Sequence, residues 1–252
     1  QATKQVTQGV SSAETRGLEN PTPEQQEAID FVGTVLADTE DTWSQVFQQQ
    51  LNQQYTAPKL VLFSGVVNSG CGAAQSAMGP FYCPADQKVY IDTTFFRDMR
   101  SQMGISGEQN STELSRNDQA GDFAQAYVVA HEVGHHIQTI LGISSQVQQA
   151  RQQATKVQAN QLSVYQELQA DCLAGVWAYH NHERTQFLEQ GDVQEAMDAA
   201  HKIGDDYLQK KAQGHVVPDS FTHGTSAQRV QWFNTGLKSG QMADCDTFNK
   251  GI

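Results

Sequence analysis

Three histidines and a glutamate lie within six positions of one another in the stretch HEVGHHIQ, residues 131–138. On a helix, His131 and His135 share a face because they are four residues apart, so both imidazoles can bind one metal ion. Glu132 lies where its carboxylate can take a proton from a water that the ion activates. His136 faces away from His135 and is expected to be a core or supporting residue. The HExxH pattern predicts a zinc-dependent hydrolytic site; the alternative is a polar patch on an ordinary helix.

A catalytic zinc site needs a third protein ligand and an open position. The stretch ELQAD provides Glu167 and Asp171, one helical turn apart on the same face. One carboxylate can bind the ion while the other accepts a hydrogen bond from a ligand imidazole and fixes its tautomer. The alternative is a solvated helical face. The other candidates for the third ligand are histidines of the C-terminal half, namely His180, His182, His201, His215 and His223.

Apolar periodicity predicts the elements that carry these residues. Residues 121–142 and 163–182 are apolar helical patterns, and the polar helix at 145–160 must leave them adjacent if both contribute ligands. The stretches KLVLFSG, at 59–65, and KVYID, at 88–92, predict two strands. We therefore expect a predominantly helical α+β protein with a small sheet near its N-terminal part.

The start of the chain is predicted to differ from the rest. Residues 1–20 are polar and lack periodicity, which predicts a flexible N-terminal segment. TPEQ, at 22–25, then predicts a helix start with a capping box and proline at the first helical position. Residues 21–252 are expected to form a single domain, with a polar surface loop over about 101–118.

Composition and charge exclude several classes of protein. The 252 residues carry 16 Lys and Arg against 28 Asp and Glu, a formal net charge of −12. There is no basic run interleaved with aromatic residues, so no nucleic-acid partner is expected. No apolar stretch approaches the roughly 18 residues that span a bilayer. Because the chain starts with Gln1 instead of Met, we expect that an upstream signal or membrane anchor is missing.

Four cysteines indicate the redox compartment. Cys71 and Cys83 flank a turn-rich segment whose ends can meet, whereas Cys172 lies in a helical pattern and Cys245 in the C-terminal tail. The predicted disulfides are Cys71–Cys83 and Cys172–Cys245, a local pair and a link to the tail. Such pairs favour an oxidising compartment. The alternative is four reduced thiols in a cytosolic enzyme.

Several separated stretches together resemble one family. They are CGAAQSAMGPFYCPADQKVYID, GDFAQAYVVAHEVGHHIQ, ELQADCLAGVWA, VVPDSFTHGTSAQR and CDTF. Over nearly all of residues 60–248 the chain is similar to the bacterial family named "putative neutral zinc metallopeptidases". The resemblance implies a zincin-like catalytic domain. It also implies an exported protein with an N-terminal membrane segment, in the periplasm or otherwise outside the cytoplasm.

More broadly, the two motifs resemble those of the gluzincin peptidases. In that scheme His131, His135 and Glu167 bind one Zn²⁺ ion, and Glu132 is the general base. Asp171 then orients a ligand histidine. The spacing between His135 and Glu167 is longer than in the best-known gluzincins.

Gluzincins also use a separate His or Tyr to stabilise the oxyanion that forms on the scissile carbonyl. The stretch DSFTHGTSAQR offers His223 for this role, with Asp219 as its orienting partner and Arg229 one or two helix turns beyond. The alternative is that His223 only caps the last helix.

The strand KVYID, at 88–92, is a candidate edge that binds an extended substrate by strand addition. Tyr82 and Tyr90 would then lie near the cleft.

The expected function is a zinc peptidase that acts on a peptide or protein substrate outside the cytoplasm. One alternative is a non-catalytic, zinc-stabilised binding or scaffold protein, and another is a latent enzyme with a covered cleft. The intact Glu132 argues against a purely structural site, which needs no general base.

Overall fold

A four-stranded mixed sheet lies near the N-terminal part of the chain. The computed structural model describes residues 13–75, 79–102, 111–185, 193, 197 and 223–250. The strands are β1 (Ala13–Arg16), β2 (Lys59–Phe63), β3 (Val66–Ser69), β4 (Gly72–Gln75), β5 (Phe81–Cys83) and β6 (Lys88–Asp92). The sheet order is β1-β2-β6-β5, with β1, β2 and β6 parallel and β5 antiparallel to β6. Strands β3 and β4 form a separate antiparallel hairpin.

Helices make up most of the described chain, so the predominantly helical α+β class is confirmed. They are α1 (Pro23–Val46), α2 (Thr93–Gln102), α3 (Ser111–Ile140), α4 (Ile143–Gln153), α5 (Lys156–Thr185), α6 (Ser226–Ser239) and α7 (Thr247–Lys250), with a π-helical turn at Phe47–Leu51 and a 3-10 turn at Met242–Cys245. Within the described ranges, no helix has the length and apolar character needed to cross a membrane.

Two predicted boundaries differ from the structure. Part of the segment predicted to be flexible over 1–20 is strand β1, because Ala13–Arg16 pairs with β2 in parallel. Part of the polar loop predicted over 101–118 is helical, because α3 already begins at Ser111. Its first three turns lack the apolar spacing that starts at Phe123, but residues such as Glu and Arg favour helix without it. The predicted helix start at Thr22 is confirmed, with both hydrogen bonds of its capping box.

The two faces of the sheet belong to different cores. Leu60, Leu62, Val89 and Ile91 pack into the same buried cluster as α1, α3, α5 and α6. Alternate residues of the same strands point to the opposite face, as the pleat requires. That face forms a smaller cluster of Val61, Phe63, Val67, Cys83 and Tyr90.

The prediction that KVYID is a substrate-binding edge is wrong. Strand β6 is interior, because β5 pairs with it on the side away from β2. Tyr90 lies in the small cluster on the face away from the helices, and its hydroxyl donates to Asp86 over 2.5 Å. Tyr82, on the edge strand β5, instead reaches α3 through its hydroxyl, 3.0 Å from Nδ1 of His136. Strand periodicity predicts β6 itself but not its neighbours in the sheet.

Small residues let α5 pack closely against both α3 and α6. A Cβ at Gly134 of α3 would lie 3.0 Å from the carbonyl oxygen of Ala170 on α5. A Cβ at Gly175 of α5 would lie 2.0 Å from the carbonyl oxygen of Phe233 on α6, and one at Gly236 only 2.0 Å from that of Cys172. Helix α4 connects α3 to α5 without lying between them. The HExxH helix, α3, and the ExxxD helix, α5, are adjacent, as the ligand prediction requires.

Candidate metal centre

The three predicted ligands come together where α3 crosses α5. Nε2 of His131 lies 3.1 Å from Nε2 of His135 and 3.1 Å from Oε2 of Glu167. Nε2 of His135 lies 3.3 Å from Oε1 of Glu167. These three side chains form a group that can hold a metal ion, with one donor atom each and all donor atoms within 4.8 Å of one another.

The spacing of the donor atoms fits zinc. Zn–N and Zn–O bonds of about 2.0–2.1 Å in a tetrahedron place neighbouring donor atoms about 3.3 Å apart. The two Nε2 atoms are 3.1 Å apart, and each lies 3.1–3.3 Å from one oxygen of the Glu167 carboxylate, Oε2 for His131 and Oε1 for His135. Two imidazoles and one carboxylate are also a donor set that zinc accepts, and three protein ligands are the number found in catalytic zinc sites.

Hydrogen bonds at the far ring nitrogens fix the tautomers of both histidines. Nδ1 of His131 lies 2.8 Å from Oδ1 of Asp171, and Nδ1 of His135 lies 2.9 Å from Oε1 of Gln138. Both partners are acceptors, so each Nδ1 carries the proton and donates it. With Nδ1 committed to these acceptors, Nε2 is the ring nitrogen that each histidine can offer to a metal ion in the space shared with Glu167.

Asp171 is fully buried and is the acceptor at the centre of a hydrogen-bond network. Besides His131, the hydroxyl of Tyr127 donates to its Oδ1. Arg229 of α6 donates from Nε to Oδ2 over 2.7 Å, and from a terminal nitrogen to Oδ1 over 3.3 Å. The same guanidinium lies 3.2 Å from the hydroxyl of Tyr127. These donors hold the Asp171 carboxylate in place beside His131.

The electrostatics of the centre favour a bound cation. Burial alone lowers the pKa of His131, but the charges and hydrogen bonds of Asp171 and Glu167 raise that pKa to about 10. Burial raises the pKa of Glu167, yet His135 and the hydrogen bonds from His131 and His135 hold it well below its ordinary value. The two carboxylates thus stabilise positive charge at the point where the Nε2 atoms converge.

Glu132 directly follows the candidate ligand His131 on α3. Its side chain is buried, and it interacts electrostatically with His131, His135 and Glu167. Burial raises the pKa of Glu132, an effect that the two histidines partly offset. A carboxylate with a raised pKa, next to a metal ion, is the type of group that acts as a general base.

His223 lies next to the ligand carboxylate, with Nδ1 3.5 Å from Oε2 of Glu167 and a side chain that is 40% exposed. The following Gly224 has a φ of +83° and fits closely against Val164 and Leu168 of α5, where a Cβ would meet both side chains. The cap of α6 is Thr225, with a capping box, so the alternative that His223 caps this helix is wrong. Asp219, its predicted orienting partner, lies outside the described residues.

Within the part of the chain that the structure describes, the remaining histidines do not join the ligand group. His136 is fully buried; its Nε2 donates to the carbonyl oxygen of Thr56 over 2.6 Å and its Nδ1 accepts from Tyr82. His180 contacts the carbonyl oxygen of Gly240 at 3.1 Å. Along α5, at 1.5 Å per residue, His180 is about 20 Å from Glu167. The candidates His201 and His215 lie outside the described residues.

Both predicted disulfides are confirmed. Cys71 is bonded to Cys83 and Cys172 to Cys245, and the described chain has no free cysteine. The second bond attaches the C-terminal tail to α5 one residue after Asp171. It therefore holds the tail against the helix that carries the candidate ligand Glu167.

Three residues of the centre were not predicted from the sequence. Gln138 and Tyr127 lie three residues after His135 and four residues before His131, so helical spacing could have placed them near the two histidines. The sequence indicates Arg229 only as a neighbour of His223. Its contact with Asp171 depends on how α6 crosses α5, which no local pattern specifies.

Comparison with known proteins identifies the family. A family model described as "Putative neutral zinc metallopeptidase" matches residues 2–248. The chain is 52% identical to the Escherichia coli K12 "Uncharacterized protein YpfJ" over 230 residues, 91% of this chain and 75% of that protein. It is 44% identical to the Mycobacterium tuberculosis H37Rv "Uncharacterized protein Rv2575" over 204 residues, 77% of this chain and 64% of the relative. No solved structure matches the chain significantly. The chain belongs to the family described as "Putative neutral zinc metallopeptidase".

Proposed function

We propose that the protein is a zinc-dependent peptidase that hydrolyses peptide bonds. The observation that carries the proposal is the convergence of donor groups from His131, His135 and Glu167, with nitrogens and carboxylate oxygens at separations close to those between zinc ligands. Glu132 next to them supplies the base that hydrolysis needs and that a structural zinc site does not. The family description supports the same chemistry.

Each residue of the centre has a role in this proposal. His131, His135 and Glu167 hold the ion, which when bound acts as a Lewis acid toward water and the scissile carbonyl. Glu132 takes a proton from the attacking water while the oxygen of that water bonds to the carbonyl carbon. The C–N bond then breaks, and Glu132 returns the proton to the leaving amine.

His223 is proposed to donate a hydrogen bond to the oxyanion that develops on the carbonyl oxygen. Its partly exposed position beside Glu167 supports this role, because a substrate carbonyl must reach the same place from solvent. Asp171 is proposed to act through His131, whose tautomer and orientation it fixes.

The proposed location is outside the cytoplasm, in the periplasm or an equivalent compartment, with a peptide or protein as substrate. The two disulfides support this location, because such bonds persist mainly in oxidising compartments. Thiol alkylation of intact cells before lysis, followed by peptide mapping, tests it. Free thiols at all four cysteines would contradict the location.

Metal removal and replacement tests the proposal directly. We expect the protein to cleave an unfolded protein substrate, to lose this activity after dialysis against a chelator, and to regain it with one equivalent of zinc. We expect Glu167→Ala to lose both zinc and activity, whereas Asp41→Ala, which removes an exposed carboxylate of α1, keeps both. Zinc binding without cleavage of any substrate would favour the scaffold or latent alternative. Activity that survives complete metal removal would contradict the proposal.

A further inference from the structure

A line of hydrogen bonds leads from the candidate ligand His135 to the C-terminal tail. Nδ1 of His135 donates to Oε1 of Gln138 over 2.9 Å, and Nε2 of Gln138 donates to Oε1 of Gln169 over 2.9 Å. Nε2 of Gln169 then donates to the carbonyl oxygen of Cys245 over 3.0 Å. The line joins α3, α5 and the tail, segments that are distant in sequence.

The orientation of each amide in this line is determined by its partners. Nε2 of Gln138 also donates to the carbonyl oxygen of Gln166 over 2.8 Å, so both of its acceptors are oxygens and only Oε1 remains for His135. Gln138 is fully buried and Gln169 nearly so. A rotated amide would place two acceptors or two donors against each other in the interior, at the cost of unpaired buried groups. Only one arrangement of donors and acceptors along the line therefore leaves no buried group unpaired, and it has the proton on Nδ1 of His135.

The far end of the line is held by a covalent bond. The carbonyl that accepts from Gln169 belongs to Cys245, whose sulfur is bonded to Cys172 of α5. Thr247 provides a second attachment of the tail, since its hydroxyl donates to the carbonyl oxygen of Tyr165 over 2.6 Å. Thr247 does not contact the two glutamines through this bond, so it offers a control for tail docking alone.

We propose that Gln138 and Gln169 are positioning residues for the metal ligand His135, and that the Cys172–Cys245 disulfide anchors this relay. The relay, defined as Gln138, Gln169 and the carbonyl of Cys245, fixes the tautomer and ring orientation of His135 as Asp171 does for His131. The two ligand histidines thus have different supports: a buried charge network for one, and a neutral amide line that ends in a disulfide for the other. The inference rests on the proposed zinc site but concerns how tightly the site binds metal.

Zinc affinity of the purified full chain, measured by competition with a chromophoric chelator, tests the relay. Gln138→Leu removes the acceptor of His135, and we expect zinc to bind about 10–100-fold more weakly, the usual effect of losing a partner of a ligand histidine. Gln169→Leu leaves that acceptor and the bond from Gln138 to the Gln166 carbonyl, but it removes the other acceptor that orients the Gln138 amide, so we expect a smaller loss.

Thr247→Val is the matched control. It removes one buried hydrogen bond between the tail and α5, so we expect a lower melting temperature of the metal-free protein with unchanged zinc affinity. Replacing both Cys172 and Cys245 by Ala tests the anchor without leaving thiols that bind zinc. We expect this variant to lose affinity by about the same factor as Gln169→Leu, and the combined variant to lose no more than either.

The outcomes separate this inference from the proposed function. A parent protein that binds no zinc contradicts both. A parent that binds zinc, with Gln138→Leu binding it equally tightly, contradicts the relay alone. Equal losses of zinc affinity in Thr247→Val and Gln169→Leu would show that docking of the tail, and not the amide line, determines how tightly zinc binds. If Gln169→Leu and the cysteine replacement weaken zinc binding by independent factors that multiply in the combined variant, the disulfide does not anchor the relay.

Discussion

Arg229 and Asp171 form a buried ion pair, with Nε of the guanidinium 2.7 Å from Oδ2 of the carboxylate. Neither side chain is more than 9% exposed. Burial lowers the pKa of Arg229, but the charge of Asp171 outweighs this effect and raises the pKa well above its ordinary value. Because Asp171 also accepts from His131, the pair connects the packing of α6 with the orientation of a candidate zinc ligand.

Asp171→Asn is expected to affect both metal binding and folding. Zinc affinity is expected to fall about 10–100-fold, because a neutral amide orients His131 less well. The metal-free protein is expected to lose about 3–5 kcal/mol of stability, because Arg229 is left without its buried partner. Chelator competition and urea unfolding of the metal-free protein measure the two effects. Unchanged unfolding would show that the ion pair does not hold α6 against α5.

Gly236→Ala is expected to destabilise the protein, although alanine is ordinarily the better helix former by about 1 kcal/mol. The new methyl group would lie 2.0 Å from the carbonyl oxygen of Cys172, so the two helices must separate. We expect a net loss of at least about 1–3 kcal/mol, the usual cost of overpacking. Gly175→Ala acts at the same crossing, so the double variant is expected to lose less than the sum of the single losses. A more stable Gly236→Ala protein would contradict the close crossing.

Local sequence patterns predicted most elements but not how they pair. The capping box at Thr22 and the strands β2 and β6 have short-range signals, and the structure has all three. Strand β1 has no such signal, because four residues in a polar segment become a strand only by pairing with β2. The interior position of β6 likewise depends on β5, which lies across a turn and a disulfide.

In the candidate site, too, local patterns predict some residues, whereas the contacts of others depend on tertiary packing. The ligand group was predictable because His131 and His135 share a helical face and Glu167 lies in a second apolar helix. Arg229 and Gln169 act on this group through helix crossings and the tail, so their contacts follow from tertiary packing alone.

His223→Ala is expected to lower kcat and kcat/KM together while KM and zinc content stay nearly unchanged. A residue that contacts only the developing oxyanion stabilises the transition state and not the bound substrate. Losing one such donor typically costs about 2.7–4 kcal/mol, or roughly 10²–10³ in rate. Steady-state kinetics with a fluorogenic peptide, together with metal analysis, measure the effect. Loss of zinc would make His223 a ligand, and full activity would remove it from the mechanism.

The most direct measurement of the proposed catalysis compares Glu132→Gln with the parent, using the hydrolysis rate and the zinc content of the same samples. The substitution keeps the size of the side chain and removes only its capacity to take a proton. We predict equal zinc content, an unchanged fold, and a rate lower by about 10²–10⁴, the contribution typical of a positioned base. A zinc-loaded Glu132→Gln protein that cleaves its substrate as fast as the parent would contradict the assignment of this centre as a peptidase active site.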